Sequence, residues 1–334
     1  MDPVSQALLA LAISRAGFNR LTRLATPMIL VASLALDIDI FSYIGGARAY
    51  LMWRCTATHS IPGAVAIAAV VATLFTIAGR KHATMPIRFG RAFTVCLAGT
   101  LAHVAFDLCG SYGVKLLWPF SGRWFALGLI AMLDPWVLFV LLGGILVPAL
   151  FRLITEEIGA KQKSRTAARG AIAALVLLAI YAGGREILYM RAIQMLESRF
   201  YRGEAPVSVG AFPESTNPFK WDGVVVTGAA LLRVDVPVLG RGFDPFAAQV
   251  FFKPAESAAL EAARATPSAS LFLSFARFPY AHVANDDAGI HVEINDLRFS
   301  VHSPPTRAVR AEIDLSSQNQ IVREKLEFAG NWWR

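Results

Sequence analysis

Residues 92–110, Ala-Phe-Thr-Val-Cys-Leu-Ala-Gly-Thr-Leu-Ala-His-Val-Ala-Phe-Asp-Leu-Cys-Gly, form an apolar run close to the ~20 residues that cross a bilayer as a helix. Two ionisable residues interrupt it, His103 and Asp107. Four residues apart, they share one helix face, and that is metal-ligand spacing. Charge inside a bilayer is costly, so such a pair reads first as a functional site.

Working outward, comparable runs fall at about 26–47, 60–79, 124–151 and 170–190. A shorter apolar stretch, Pro3 to Phe18, precedes them. It lacks a basic start and is followed by another span, so it is not expected to be a cleavable signal peptide. The 334 residues are 55% hydrophobic, and the mean hydropathy of +0.49 exceeds that of ordinary soluble domains. The expectation is a polytopic α-helical membrane domain over 1–192, with about five long helices and a short N-terminal one. A small antiparallel β-rich domain should follow over 193–334.

The net charge of +8 would suggest nucleic-acid binding in a soluble chain. Here the cations gather in short loops, which excludes nucleic acid in favour of membrane topology. Arg15, Arg20 and Arg23 precede the first long span. Arg80, Lys81, Arg88 and Arg91 lie between the second and third, and Arg152, Lys161, Lys163, Arg165 and Arg169 between the fourth and fifth. By the positive-inside rule these three loops are cytoplasmic. The loops near 47–59 and 110–123, and everything after about 192, then lie on the outer side. The three cysteines, Cys55, Cys96 and Cys109, make no disulfide framework.

After about Phe200, Gly/Pro-rich turns separate short alternating runs. They are Val224–Thr227, Leu231–Val236, Gln249–Phe252, Ser270–Phe275, Gly289–Ile294, Leu297–Val301 and Val309–Leu315. Their period of two predicts antiparallel strands, and Asn285 to Gly289 reads as a hairpin turn.

This topology places the buried polar residues by depth. Asp37 and Asp39 lie past the middle of an outward helix, and His59 starts the return helix at the outer face. His103 and Asp107 end the next outward helix, and Asp134 lies in the outer half of the fourth long span. Four helices thus bring imidazoles and carboxylates to one side. Such a set suits zinc or a similar divalent ion, with manganese as the alternative. An open coordination position would serve hydrolysis. Asp37 and Asp39 stand about 200° apart on an ideal helix, so both reach one ion only if that helix breaks. Simpler readings stand beside this one. His103 and Asp107 can bond helices together, His59 can cap a helix, and Asp134 before Pro135 can cap or bend one. His282, His291 and His302 read as ordinary sheet residues, and His82 as incidental.

At these residues the chain resembles the YdjM-like family of bacterial inner-membrane proteins. Met1-Asp2-Pro3-Val4-Ser5-Gln6-Ala7-Leu8 is similar to its opening Met-Asp-Pro-x-Thr-His-x-Leu, and Asp37-Ile38-Asp39 to its Pro-Asp-x-Asp. Thr58-His59-Ser60 resembles the end of His-Arg-x-x-Thr-His-Ser. His103 to Asp107, Ser111-Tyr112-Gly113, Leu117 to Ser121, Ala126-Leu127 and Asp134-Pro135 continue the likeness. So do Phe212-Pro213, Asn217 to Trp221 and Ala276 to Pro279 in the β-rich part. The departures are specific. Gln6 stands for a histidine, Arg54 for the first histidine of the second motif, Cys55 for its arginine, and Leu36 for the proline before Asp37.

The resemblance implies a metal-dependent hydrolase of the inner membrane, and the location of the polar residues at the outer face suggests a lipid or envelope substrate. His59, His103, Asp107 and Asp37 would bind the metal, and Asp39 or Asp134 would orient a ligand or accept a proton. Arg54 would contact an anionic substrate group. The alternative is a degenerate member that keeps the fold as a membrane scaffold or partner-binding protein. Transport is disfavoured, because the polar residues cluster on one side and no paired halves are visible.

Overall fold

A computed structural model describes residues 1–79, 86–157, 165–240, 242–286, 289–299 and 309–328. Arg80, Lys81, His82, Lys161, Lys163, Val301 and His302, and the Asp287-Ala288 part of the expected hairpin turn, lie outside them. By internal contacts the chain forms two units, 1–39 with 55–186, and 40–54 with 187–334.

The first unit is helical. Asp2 opens α1 (Pro3–Ala16) by accepting the Ser5 amide at 2.8 Å, and Pro3 sits where no amide is needed. Next come α2 (Ala25–Leu34), a 3-10 stretch (Ala35–Gly45) and α3 (Gly46–Trp53), which follow one another directly along the chain. They are followed by α4 (Ile61–Gly79), α5 (Phe89–Leu108), α6 (Pro135–Glu157) and α7 (Arg165–Glu197). Among the described residues, four helices are long and apolar enough to cross a membrane: Ala25–Trp53, Ile61–Gly79, Phe89–Leu108 and Thr166–Glu197. Pro135–Phe151 is a shorter apolar helix. Large apolar side chains such as Val70, Leu74, Phe139 and Ile180 are exposed on these helices, the surface that a bilayer covers.

The core of this unit packs Ala10, Met28, Ile29, Ala68, Val71, Ala72, Ala92, Val95 and Cys96 from α1, α2, α4 and α5. Small residues set the spacing, as they do where lipid supplies no hydrophobic drive between helices. A Cβ on Gly99 would lie 2.8 Å from the Ile29 carbonyl oxygen, so α5 approaches α2 closely there. In the same way Gly170 of α7 makes room for Pro148 and the Gly144 carbonyl of α6.

The fourth span begins later than its apolar sequence implies. Residues 124–134 are not helical, and α6 starts at Pro135. The extended segment folds over the end of α5. Leu127 donates to the Leu108 carbonyl at 2.8 Å, and Leu129 and Ile130 donate to that of Cys109 at 2.8 and 3.0 Å. Val114 and Phe125 pair as an isolated bridge, and the Trp118–Pro119 bond is cis. Non-helical backbone at membrane depth is tolerable when protein satisfies its polar groups, as it does here.

The second unit carries two antiparallel four-stranded meanders. The first sheet has the order β1 (Ser208–Pro213), β2 (Lys220–Val226), β3 (Ala230–Pro237), β4 (Gln249–Phe252). Then come α8 (Ala258–Ala265) and α9 (Pro267–Phe275), followed by the second sheet, β5 (Pro279–Asp286), β6 (Gly289–Asp296), β7 (Val309–Leu315), β8 (Ile321–Phe328). Trp221, Val225, Leu232 and Val236 bury one face of the first sheet against Ala192 and Leu196 of the α7 end. In this unit Tyr43 and Tyr50 pack on Phe328, with ring centroids 4.7 and 5.5 Å away. Ser270–Phe275 is helical, contrary to its alternation, because Thr266 caps α9 and Pro267 opens it. Leu297–Phe299 follows β6 as a turn.

Candidate metal centre

Five polar side chains from three parts of the first unit meet in its interior. The α2 helix tightens to 3-10 geometry at Ala35, with about three residues per turn. This is the break that lets two carboxylates two residues apart reach one imidazole. Asp39 Oδ2 lies 3.0 Å from His59 Nδ1, and Asp37 Oδ1 lies 3.9 Å from His59 Nε2.

His59 sits in the turn that enters α4. Ser60 caps that helix: its Oγ accepts the Gly63 amide at 3.0 Å and donates to the Ala57 carbonyl at 2.8 Å. Gly63 is required there, since a Cβ would stand 1.8 Å from the Ala57 oxygen. The folded-over 110–130 segment fixes the same turn. Lys115 donates to the Cys55 carbonyl at 3.0 Å, and Ile61 donates to that of Leu116 at 2.9 Å.

From α5, His103 and Asp107 face this turn. The two imidazole Nε2 atoms are 3.2 Å apart, and Asp107 Oδ2 lies 3.1 Å from His59 Nε2 and 3.5 Å from His103 Nε2. Asp37 Oδ2 lies 3.8 Å from His103 Nε2. Both histidines are fully buried, Asp39 and Asp107 nearly so, and the Asp37 side chain is the most open at 12% exposure.

Each facing group is held from behind. Thr58 Oγ1 and the Cys55 amide both donate to Asp39 Oδ2 at 2.8 Å, so this carboxylate aims the His59 ring. Ser33 Oγ lies 3.4 Å from His103 Nδ1. Gln6 Nε2 donates to Asp107 Oδ1 at 2.9 Å and to the His103 carbonyl at 3.3 Å, and the Met1 amine lies 2.5 Å from the same Oδ1.

The donor set fits a divalent cation. A tetrahedral zinc with bonds of about 2.0–2.1 Å separates its ligand atoms by roughly 3.3 Å, and the two Nε2 atoms with Asp107 Oδ2 show 3.1, 3.2 and 3.5 Å. Asp107 Oδ2 is buried and receives no hydrogen bond, although two rings stand beside it. Donor atoms of Asp37, His59 and His103 all lie within 4.8 Å of one another, and so do those of Asp39, Cys55 and His59. Burial alone would push the His59 imidazole toward neutrality, but the Asp107 and Asp39 carboxylates outweigh it and raise its pKa to about 9. The pocket favours positive charge.

Other expected site residues fall elsewhere. Asp134 caps α6: its Oδ1 accepts the Trp136 and Val137 amides at 2.9 and 3.3 Å, and its Oδ2 accepts the Tyr181 hydroxyl at 2.9 Å. Arg54 ends α3, is buried, and belongs to the second unit. In that unit His291 pairs across strands with Asp314 at 2.6 Å. Cys55, Cys96 and Cys109 are not joined in disulfides. Sequence reasoning missed Ser33, Thr58 as a ligand of Asp39, and Tyr181. Only Thr58, beside His59, carried a signal.

A multi-pass helical membrane protein with a buried histidine–carboxylate cluster is the class these features define. The family described as YdjM inner membrane protein matches residues 1–191, more than half of the chain, and the chain belongs to that family. It is also similar to the "Uncharacterized protein YfhP" of Bacillus subtilis (strain 168), 30% identical over 112 residues, which is 32% of either chain. The chain thus spans about a third of that relative's length in the match. No solved structure matches the chain.

Proposed function

We propose that the protein is a membrane-embedded metal-dependent hydrolase. The observation that carries this is the convergence of His59, His103 and Asp107, with donor atoms 3.1 to 3.5 Å apart in a buried pocket. These three with Asp37 would hold the ion, zinc in the first instance and manganese as the alternative. A divalent ion there would polarise a scissile group and lower the pKa of water.

The chain's own residues have distinct tasks in this reading. Asp39 holds His59 in orientation through Nδ1, and Gln6 holds Asp107 through Oδ1. Asp37, the most open of the carboxylates, is the outermost of the four ligands and stands where substrate would arrive. Asp134 then serves α6 as a cap rather than the chemistry. The topology expected from the loop cations favours the periplasmic side for the site, and with it a lipid or envelope substrate.

Elemental analysis of detergent-purified protein beside a His103→Ala/Asp107→Ala variant tests the reading. Near-stoichiometric zinc or manganese, lost in the variant, followed by hydrolysis of labelled envelope lipids, is the expected result. A folded protein without metal would favour the scaffold, with these groups bonding helices together. That alternative draws on Gln6, whose amide already occupies one side of Asp107.

A further inference from the structure

Four arginines that the metal centre does not use, Arg20, Arg23, Arg88 and Arg91, line one cavity of about 510 Å³. Asn19 and Thr22 contribute polar side chains to its wall, and among the described residues no acidic one lines it. Among the described residues none of the four guanidinium groups forms an ion pair. The positive-inside rule explains cations in the loops that join spans. It does not explain why two separate loops bring exposed arginines together around one open hollow, where like charges repel.

The place adds to the charge. The cavity lies between the turn that leads into α2 and the start of α5, and Ala25 and Phe89 each begin a candidate membrane span. That is the depth of lipid headgroups. The N-terminus of α5 opens onto it at Arg88 without a side-chain cap, so the amides of its first turn add to the attraction for an anion.

We propose that this cavity is a phosphate-binding site, filled by the headgroup of an anionic phospholipid or by free phosphate. Guanidinium groups bind phosphate oxygens in pairs, and a planar fork suits them better than a point charge. The site is separate from the metal centre and does not depend on it.

The test uses the whole chain in nanodiscs of phosphatidylcholine, with and without phosphatidylglycerol, and an arginine-modifying dicarbonyl mapped by mass spectrometry. Phosphatidylglycerol should protect Arg20, Arg23, Arg88 and Arg91 severalfold, while Arg123 and Arg264 react unchanged. Protection by inorganic phosphate in phosphatidylcholine, with no further gain from phosphatidylglycerol, would name free phosphate as the source. Native mass spectrometry of Arg88→Gln/Arg91→Gln and Arg20→Gln/Arg23→Gln should show about tenfold weaker retention of the protecting ligand, with Arg123→Gln/Arg264→Gln as the equal-charge control. If neither anion protects the four arginines, the proposal fails, whether or not the variants insert. It also fails if the folded pair variants retain the ligand like the control.

Discussion

His59 and His103 lie 44 residues apart in the chain, yet their Nε2 atoms stand 3.2 Å from each other. Two buried imidazoles at this distance act as one ligand set, so their losses should not add. His59→Ala and His103→Ala should each take bound metal from near one per chain to background, and the double variant should be no worse. Elemental analysis of the three proteins checks this. Partial, additive losses would mean two independent sites and would break the single-centre reading.

The two aspartates of the 3-10 stretch should separate in kind. Asp39 touches the far nitrogen of His59 and is bonded by Thr58 and Cys55. Asn at this position keeps the shape but weakens the orienting bond, so Asp39→Asn should lower metal affinity roughly 10–100-fold, the usual cost of losing such a support. Asp37→Asn should lower turnover more than metal content, because Asp37 lies 3.8–3.9 Å from both rings and is the more open. Chelator titration with metal readout, beside an activity assay, distinguishes them. Equal effects on both readouts in both variants would erase the division of roles.

Much of this site was legible because charge in an apolar run is conspicuous. His103 and Asp107 announced themselves by i,i+4 spacing, and the positive-inside rule put His59 and the aspartates on the same side. What the residues could not reveal was backbone geometry. An α-helix reading keeps Asp37 and Asp39 apart, and only the tightening at Ala35 brings both to His59. Ser33 looks like any small residue of a packed helix until His103 is found beside it.

The misread elements have the same origin. Residues 124–134 are apolar enough for a helix, and an all-apolar run has no period to contradict one. They run instead as non-helical chain, with amides spent on the end of α5. Ser270–Phe275 alternates like a strand, but the preceding Thr266-Pro267 is a helix start, and that local signal wins. β8, Ile321–Phe328, was passed over because charged residues fill its middle. Those charges face others across the ladder: Lys325 pairs with Glu312 at 2.9 Å.

Asp134 offers a sharp test of capping against chemistry. With Oδ1 on two amides at the start of α6 and Oδ2 on Tyr181, Asp134→Ala should cost about 0.5–2 kcal/mol of stability, as lost helix caps do. Metal content should stay at the wild-type level, and Tyr181→Phe should show a smaller loss of the same kind. Thermal unfolding in detergent with elemental analysis reads both. Loss of metal in Asp134→Ala at preserved stability would return this carboxylate to the centre.

The turn that carries His59 has one position where a single carbon should matter. A Cβ at Gly63 would meet the Ala57 carbonyl oxygen at 1.8 Å, a backbone atom with no rotamer to yield. Ala57 accepts from Ser60, Ser60 caps α4, and Thr58 and His59 lie between them. Gly63→Ala must therefore shift the turn, at a cost on the order of 1–3 kcal/mol for forced overpacking, and it should carry His59 away from Asp107. The expected outcome is a lower melting temperature together with lost metal. Gly143→Ala is the comparison: nothing lies within 4 Å of its Cβ in α6, so the change should be neutral or stabilising by up to about 1 kcal/mol from helix propensity alone. If Gly63→Ala behaved like Gly143→Ala, the Ala57–Gly63 turn would not be what holds His59 in place.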